Sequence, residues 1–390
     1  MRRNRSEAPG QVPSCVHSRS RGQSSKSRHR YSSFIAGLVL LAAGCQGDVL
    51  PEPAVDEIHL PTGMLVTPNS NWLFVATSDL DRSYAHSSLV AIDLRELQPA
   101  LANLAGPGAA LTASQPCREV NDPESTAPVE CDVQYLIDGE QTVLLPRGAG
   151  NIAVDYPAGQ GGPMRLLIPS SLDVAVSWID VFAGDKLRVS CGQDANGLCD
   201  AAHTLERLGN RPNGTRIPSN PARIGVDTQG FRFAYLPHLF GGNMTMIDLD
   251  GPYGPEVTDI EKEFFLPDPQ TETEYAGGFA VAQLPCDPEN APDRLAGCTQ
   301  PYLFASQRHW PAYRMFTVAT GLGLILGRGN VPLLGLNFRV VEDRPYTGDV
   351  ALENPAIGDR VLAVHTTPPG LTRVDVSVDG HRIANKVIET

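Results

Sequence analysis

Four histidines and two aspartates, His86, His238, His309, His365, Asp79 and Asp173, are the side chains whose types and spacing could do chemistry. When the segments around Phe74, Phe233 and Phe304 are aligned, the fifth residue after each is Asp79, His238 and His309. Asp173 and His365 fall near the same place in two further segments, and His86 lies later in the first. Neutral imidazole nitrogens and carboxylate oxygens that converge on one point can hold a divalent metal or act as acid and base near neutral pH. The competing reading is a set of polar loop residues spread apart, or histidines hydrogen-bonded to backbone. No cofactor is predicted, and a divalent metal is the one ligand this set would take.

What could position these groups is a recurring unit of short strands. The first copy contains Met64–Pro68, Trp72–Thr77 and Ser88–Leu94, and the second Asn151–Asp155, Arg165–Pro169 and Val174–Val181. The third has Ala222–Asp227, Phe231–Tyr235 and Met244–Leu249, and a looser fourth has Gly278–Ala282, Tyr302–Ser306 and Tyr313–Val318. A fifth runs through Asp349–Glu353, Arg360–Val364 and Leu371–Val376. Fourth extended segments are clearest at Gln141–Leu145 and His381–Ile388. Four short strands per unit, separated by turn residues and placed in series, predict an all-β chain of β-propeller blades. Five units are visible, and a ring of up to seven is open. In such a fold all loops between second and third strands open on one face, which gathers the candidate residues. The aspartates of the Ile-Asp-Leu-like triplets, Asp93, Asp180 and Asp248, are read as turn acceptors for backbone N–H groups rather than as catalytic groups. Trp72 and Trp178 are expected between blades, and Trp310, in a loop directly after His309, is the one tryptophan that could contact a glycan or peptide, with core burial the favoured alternative.

The body contains six cysteines in three close couples, Cys117 with Cys131, Cys191 with Cys199 and Cys286 with Cys298. An even count in local couples reads as three loop-stapling disulfides made in an oxidising compartment. Metal-ligand spacing of the CxxC type is absent. The couples sit in long insertions between strands, and stapled insertions of this kind are expected to be shaped loops available for binding.

Export is written at the N-terminus. Arg28, His29 and Arg30 close a basic stretch, the ten-residue apolar run Phe34–Ala43 follows, and Leu41-Ala42-Ala43-Gly44-Cys45 resembles a bacterial lipobox with Cys45 as the lipidated residue. Ten residues are too few to span a bilayer, so residues 1–44 read as a signal peptide, 45–57 as the lipidated cysteine and tether, and 58–390 as the propeller. An ordinary secretory signal cut nearby is the alternative. The leader carries eight basic residues and one acid, so its removal takes the chain from −13 to −20. A body this acidic repels phosphate backbones, which argues against a nucleic-acid partner. The acyl chain (palmitate or a relative) is then what holds the protein to the membrane.

The strand units resemble the YVTN/lactonase-like propellers of exported bacterial proteins. That resemblance implies a seven-bladed ring, whereas five units are read here. It also implies a hydrolase alternative of lactonase type. Common enzyme signatures such as G-x-S-x-G, H-E-x-x-H and G-x-x-x-x-G-K are absent from the sequence. The expected protein is therefore a membrane-anchored, extracytoplasmic propeller of the cell envelope. It serves as a binding scaffold for an envelope protein or extracellular polymer. The alternative is a lactonase-like, metal-dependent or metal-free hydrolase with its site on the loop face.

Overall fold

The computed structural model describes residues 50–120, 128–157, 163–183, 186–193, 197–206, 216–227, 231–265, 267, 277–284, 302–308, 312–332, 346–352, 360–367, 369–379 and 382–389. Residues 1–44, expected from the sequence to be a signal peptide, lie outside them, as do Cys45, Cys286, Cys298, His309 and Trp310. The described residues belong to one compact unit, Leu50–Thr390. Among them no helix is long and apolar enough to cross a membrane.

Among the described residues the unit is a β-propeller with five consecutive antiparallel meanders of four strands. The first blade comprises Pro61–Val66, Trp72–Thr77, Ser87–Asp93 and Val143–Leu145. The second comprises Ala153–Asp155, Met164–Ser170, Ala175–Ala183 and Leu187–Ser190, with Thr204–Glu206 continuing its outer edge beside Ala175–Ser177. The third comprises Gly225–Val226, Phe233–Pro237, Met244–Asp248 and Glu256–Glu261. The fourth comprises Gly278–Leu284, Tyr302–Gln307, Ala312–Ala319 and Leu324–Pro332. The fifth comprises Tyr346–Leu352, Arg360–Thr367, Pro369–Asp379 and Arg382–Glu389, so it supplies its own outer strand. First strands of the second to fifth blades pack in succession, and Gly63 of the first blade's inner strand closes on Gly150–Ile152 at the entry to the second, which together form the inner rim.

Period-two alternation explains why the strands read as almost continuous apolar runs. In the second blade Met164, Leu166, Ile168, Ile179 and Val181 join Phe74, Leu89 and Leu145 of the first. Their neighbours Leu167, Val176 and Trp178 turn the other way and join Ala234, Leu236 and Ile247 of the third. Phe233, Tyr235, Met244 and Met246 in turn meet Leu303, Phe316 and Val318 of the fourth. Each such side chain contributes about 1.5–3 kcal/mol on burial. Trp72 and Trp178 are 4% and 3% exposed and fill blade junctions, as expected.

The first insertion also has a packing role that its sequence does not announce. The face of the first blade turned away from the second carries Val75, Val90 and Ile92, and it is covered by Leu97, Cys131, Leu136, Ile137 and Ile58. Leu97 comes from helix α1 (Leu94–Ala102), which Asp93 caps by accepting the Arg95 N–H at 2.9 Å. Cys117 and Cys131 are paired residues of a two-stranded hairpin and form a disulfide. The second disulfide, Cys191–Cys199, packs inside the core between the first two blades, and the Cys199 N–H donates to the Leu144 carbonyl at 3.2 Å. These two stapled insertions are padding for blade faces.

Candidate binding site

The inner rim is where the sequence builds a site. In the first blade the entry to the inner strand carries a bulge between Pro61 and Gly63, and the fourth blade has one between Gly278 and Val281. Single pairings at Ala149 with Ser170 and Pro221 with His238 precede the inner strands of the second and third blades. Bulges re-aim side chains. Here the entries of three blades frame a cleft of about 380 Å³ lined by Pro61, Thr62, Gly63, Met64, Asn151, Ile152 and Arg223. That volume is in the range of small-molecule sites.

Local chemistry fixes this lining. Thr62 Oγ1 donates to the Ala149 carbonyl at 2.7 Å, joining the first blade to the second. Asn151 joins the second to the third, its Nδ2 donating to the Ile224 carbonyl at 3.0 Å and its Oδ1 accepting the Ile224 N–H at 2.8 Å. Gly63 allows the close approach, because a Cβ there would stand 2.7 Å from the Gly150 carbonyl oxygen. Arg223 lies with its guanidinium carbon 4.8 Å from the centre of the Phe279 ring, a stacked cation on the fourth blade's inner strand. Met64 projects into solvent at the cleft with 71% exposure.

Of the residues singled out by sequence, Asp79, Asp173, His86 and His238 do not line this cleft. Strand register shows why the alignment behind them slipped. Asp93 stands opposite Trp72 and Asp248 opposite Phe233, so Phe233 corresponds to Trp72, and Phe74 corresponds to Tyr235. The true equivalents at the end of the second strands are Thr77, Ser170, His238, Gln307 and His365. The first four are at most 2% exposed and each ties its strand to a neighbour. Thr77 Oγ1 meets Ser88 Oγ at 2.7 Å, Ser170 Oγ donates to Pro146 O at 3.0 Å, and Gln307 Nε2 donates to Asn330 Oδ1 at 3.0 Å. His238 contacts the Ser219 carbonyl through Nδ1 at 3.0 Å and Thr245 Oγ1 through Nε2 at 2.8 Å. Burial pushes its pKa down to about 4, so the ring is neutral, with both nitrogens satisfied if Nδ1 carries the proton. His238 is a structural tie between a strand end and the segment entering its own blade.

Asp79 is 1% exposed and its Oδ1 accepts the Tyr84 N–H at 2.7 Å, bracing the loop after its strand. Asp173 accepts from Arg147 three times, from the backbone N–H at 2.8 Å and from Nη2 and Nε at 2.9 and 3.1 Å. The Asp173 carboxylate, with a smaller contribution from Asp79, raises the Arg147 pKa above its ordinary value. His86 Nδ1 stands 2.6 Å from Glu52 Oε2. His365 keeps its register place, and His309 lies outside the described residues. Among the described residues no three His, Cys, Asp or Glu side chains group as a metal site. Of the triplet aspartates, Asp93 and Asp248 accept backbone N–H groups two residues on, at 2.9 Å each, whereas Asp180 pairs with its cross-strand neighbour Arg165 at 3.0 Å.

No family model matches the chain, and no curated protein does. Among solved structures, a protein of Lactobacillus plantarum is similar at 12% identity, covering 84% of this chain and 70% of its own, with a TM-score of 0.46. The periplasmic gluconolactonase PpgL of Pseudomonas aeruginosa is similar at 11% identity, covering 84% of each chain, with a TM-score of 0.41. A functionally unknown protein of Desulfotomaculum acetoxidans is similar at 12% identity, covering 85% of this chain and 90% of its own, with a TM-score of 0.40.

Proposed function

We propose that this chain is a lipid-anchored, extracytoplasmic β-propeller that works as a binding module, seating its ligand in the cleft on the inner rim. The observation that carries this reading is the chemistry of the lining. Thr62 and Asn151 use their polar atoms on backbone groups of neighbouring blades, which makes the cleft rigid. Arg223 brings a cation to the cleft, with its guanidinium carbon 4.8 Å from the centre of the Phe279 ring. Among the described residues, those that line the cleft include no carboxylate or imidazole that could shuttle a proton. The ligand belongs to an envelope protein or an extracellular polymer. Cys45 places the module at the membrane, in the periplasm or at the cell surface.

The lactonase-like hydrolase, metal-dependent or not, is the reading to separate from this one. It needs acid, base or metal-ligating groups gathered at one mouth, and Asp79, Asp173, His86 and His238 each serve a different partner. Isothermal titration with D-glucuronate, beside an assay of glucono-δ-lactone hydrolysis, tests both. The binding reading expects saturable heat with glucuronate that Arg223→Ala abolishes, and lactone decay at the rate of buffer alone. Lactone turnover that survives Arg223→Ala would overturn it. Replacing Cys45 with Ala should release the protein from the membrane fraction, and an unchanged distribution would remove the anchor.

A further inference from the structure

We propose that Leu50–Leu60 is a strap, held on the first blade in acid by two histidine–carboxylate pairs and loosened as pH rises, which sets how far a lipid-anchored propeller reaches from its membrane. Only the reach, not the latch, rests on the anchor at Cys45. The strap meets the loop between the first blade's second and third strands, residues 78–86. His86 Nδ1 of the loop stands 2.6 Å from Glu52 Oε2 of the strap. In the opposite sense, His59 Nε2 of the strap stands 3.2 and 3.1 Å from the two carboxylate oxygens of Asp81. Each side therefore gives the other one imidazole and one carboxylate.

The backbone of the strap is tied near both ends. The Ala85 N–H donates to the Pro51 carbonyl and the Ser78 N–H to the Leu60 carbonyl, each at 2.9 Å. Between them Thr142 Oγ1 donates to the Val55 carbonyl at 2.7 Å, and the His59 and Tyr84 rings meet edge to face with centres 5.0 Å apart. Pro53 is buried and Ile58 packs on the first blade's outward face, so loosening is a local opening rather than unfolding. Leu60 is the hinge. Its φ of +45° lies in the left-handed region that a leucine rarely adopts, so docking keeps strain there that release relaxes.

Histidine is the side chain that ordinarily changes charge between about pH 5 and 8. A neutral imidazole still donates one hydrogen bond to a carboxylate, whereas the cation adds the pairing of charges. The Ser83 hydroxyl, at 2.8 Å, and then His59 hold the Asp81 carboxyl below the usual carboxylate range, so it stays an anion through that window. Asp79, on the same loop, is buried on the Tyr84 N–H, and Arg147, which its charge reaches, is bound to Asp173. Arg82 of the loop and Asp56 and Glu57 of the strap are exposed. Both pairs are partly exposed, so each shifts the docking equilibrium by about twofold to fivefold, and the two together by about tenfold. With the strap docked, Leu50 is five residues past Cys45 and can stand roughly 17 Å from it. With the strap free, Pro61 is sixteen residues past Cys45 and the reach grows to roughly 55 Å.

The test is hydrogen–deuterium exchange of the purified full chain at pH 5.5 and 7.5, each rate divided by that of unstructured peptide at the same pH. Peptides spanning Leu50–Leu60 and Ser78–His86 should exchange about tenfold faster at pH 7.5, while Ala175–Ala183 stays alike at both. The buried His238 takes up charge in acid and loosens the fold in the opposite direction, so it does not imitate this effect. The double variant His59→Gln with His86→Gln keeps hydrogen-bond donors without the charge, and its strap should be loose at both values. Equal protection of the strap at both values, or a pH response that survives in the double variant, overturns the latch. On phosphatidylcholine vesicles, energy transfer from the native tryptophans to a dansyl lipid should fall at pH 7.5. If exchange responds to pH but the chain does not hold to the vesicles, the anchor falls and the latch stands. If the chain holds to the vesicles and neither exchange nor transfer responds, the latch falls and the anchor stands.

Discussion

The carboxamide of Asn151 holds both ends of the Ile224 peptide edge, donating to its carbonyl at 3.0 Å and accepting from its N–H at 2.8 Å. This one side chain does for the second and third blades, at the cleft, what a strand ladder does within a blade. Ile224 is 3% exposed, so its backbone has no water to turn to if the clamp is lost. Asn151→Ala should therefore cost about 2 kcal/mol, read as a lower denaturant midpoint with unchanged slope. Asn151→Asp keeps the acceptor and loses the donor, so it should fall between the two.

The same junction is clamped again at the far end of these strands. Arg232 of the third blade pairs with Asp155 of the second and, at 3.0 Å, with Asp250. Asp155 is nearly fully buried, so removing its cation leaves a charge without compensation. Arg232→Ala should destabilise by about 3 kcal/mol, and the double variant with Asp155→Ala should lose less than the sum of the singles. Additive losses in that cycle would show the pair to be uncoupled.

A pH effect follows from His238. Its folded pKa of about 4 lies below the ordinary 6.5, so the unfolded chain binds a proton first as pH falls. Stability is whole above pH 6.5 and is lost as pH drops towards 4, by about 3 kcal/mol in total. Urea melts at pH 7 and pH 5 should differ by about 2 kcal/mol from this group. His238→Gln should remove that difference while lowering stability at both values.

The Cys117–Cys131 bridge should matter through the surface it holds in place. Replacing both cysteines by Ser frees a loop of 14 residues' separation, at a cost of about 3 kcal/mol. Hydrogen exchange should then rise first in Ser87–Asp93, whose Val90 and Ile92 lie under the insertion, and last in Met244–Asp248. Uniform exchange in both strands would show that the insertion covers nothing of consequence.

Most of the fold could be read in the chain. Trp72–Thr77 matches its strand to the residue, and every strand predicted in the five units overlaps an observed one, because alternation on two buried faces leaves an unmistakable apolar run. Registration was harder. Phe233 and Tyr235 are both aromatic and two residues apart, so sliding by two keeps every side chain on its face and only pairing with Asp248 fixes the register. That slip set His238 level with Asp79, two residues out of place. The cleft escaped altogether, since Thr62, Asn151 and Arg223 belong to no motif and meet only through three separate strand entries. Their one shared signal is position, at or just ahead of the start of each inner strand. Nothing local in the first insertion shows that Leu97, Leu136 and Ile137 cover a blade face, so that packing role is not legible in the sequence.

The most direct test of the central claim watches the cleft from within. Met64 is its exposed thioether, whereas Met164, Met244 and Met246 are at most 4% exposed in the blade junctions. With the methionine methyl groups labelled with carbon-13, titration with D-glucuronate should shift the Met64 resonance saturably and leave those three in place, and Arg223→Ala should abolish the shift. A Met64 resonance that stays still at saturating ligand, or moves equally in Arg223→Ala, would contradict binding in the cleft.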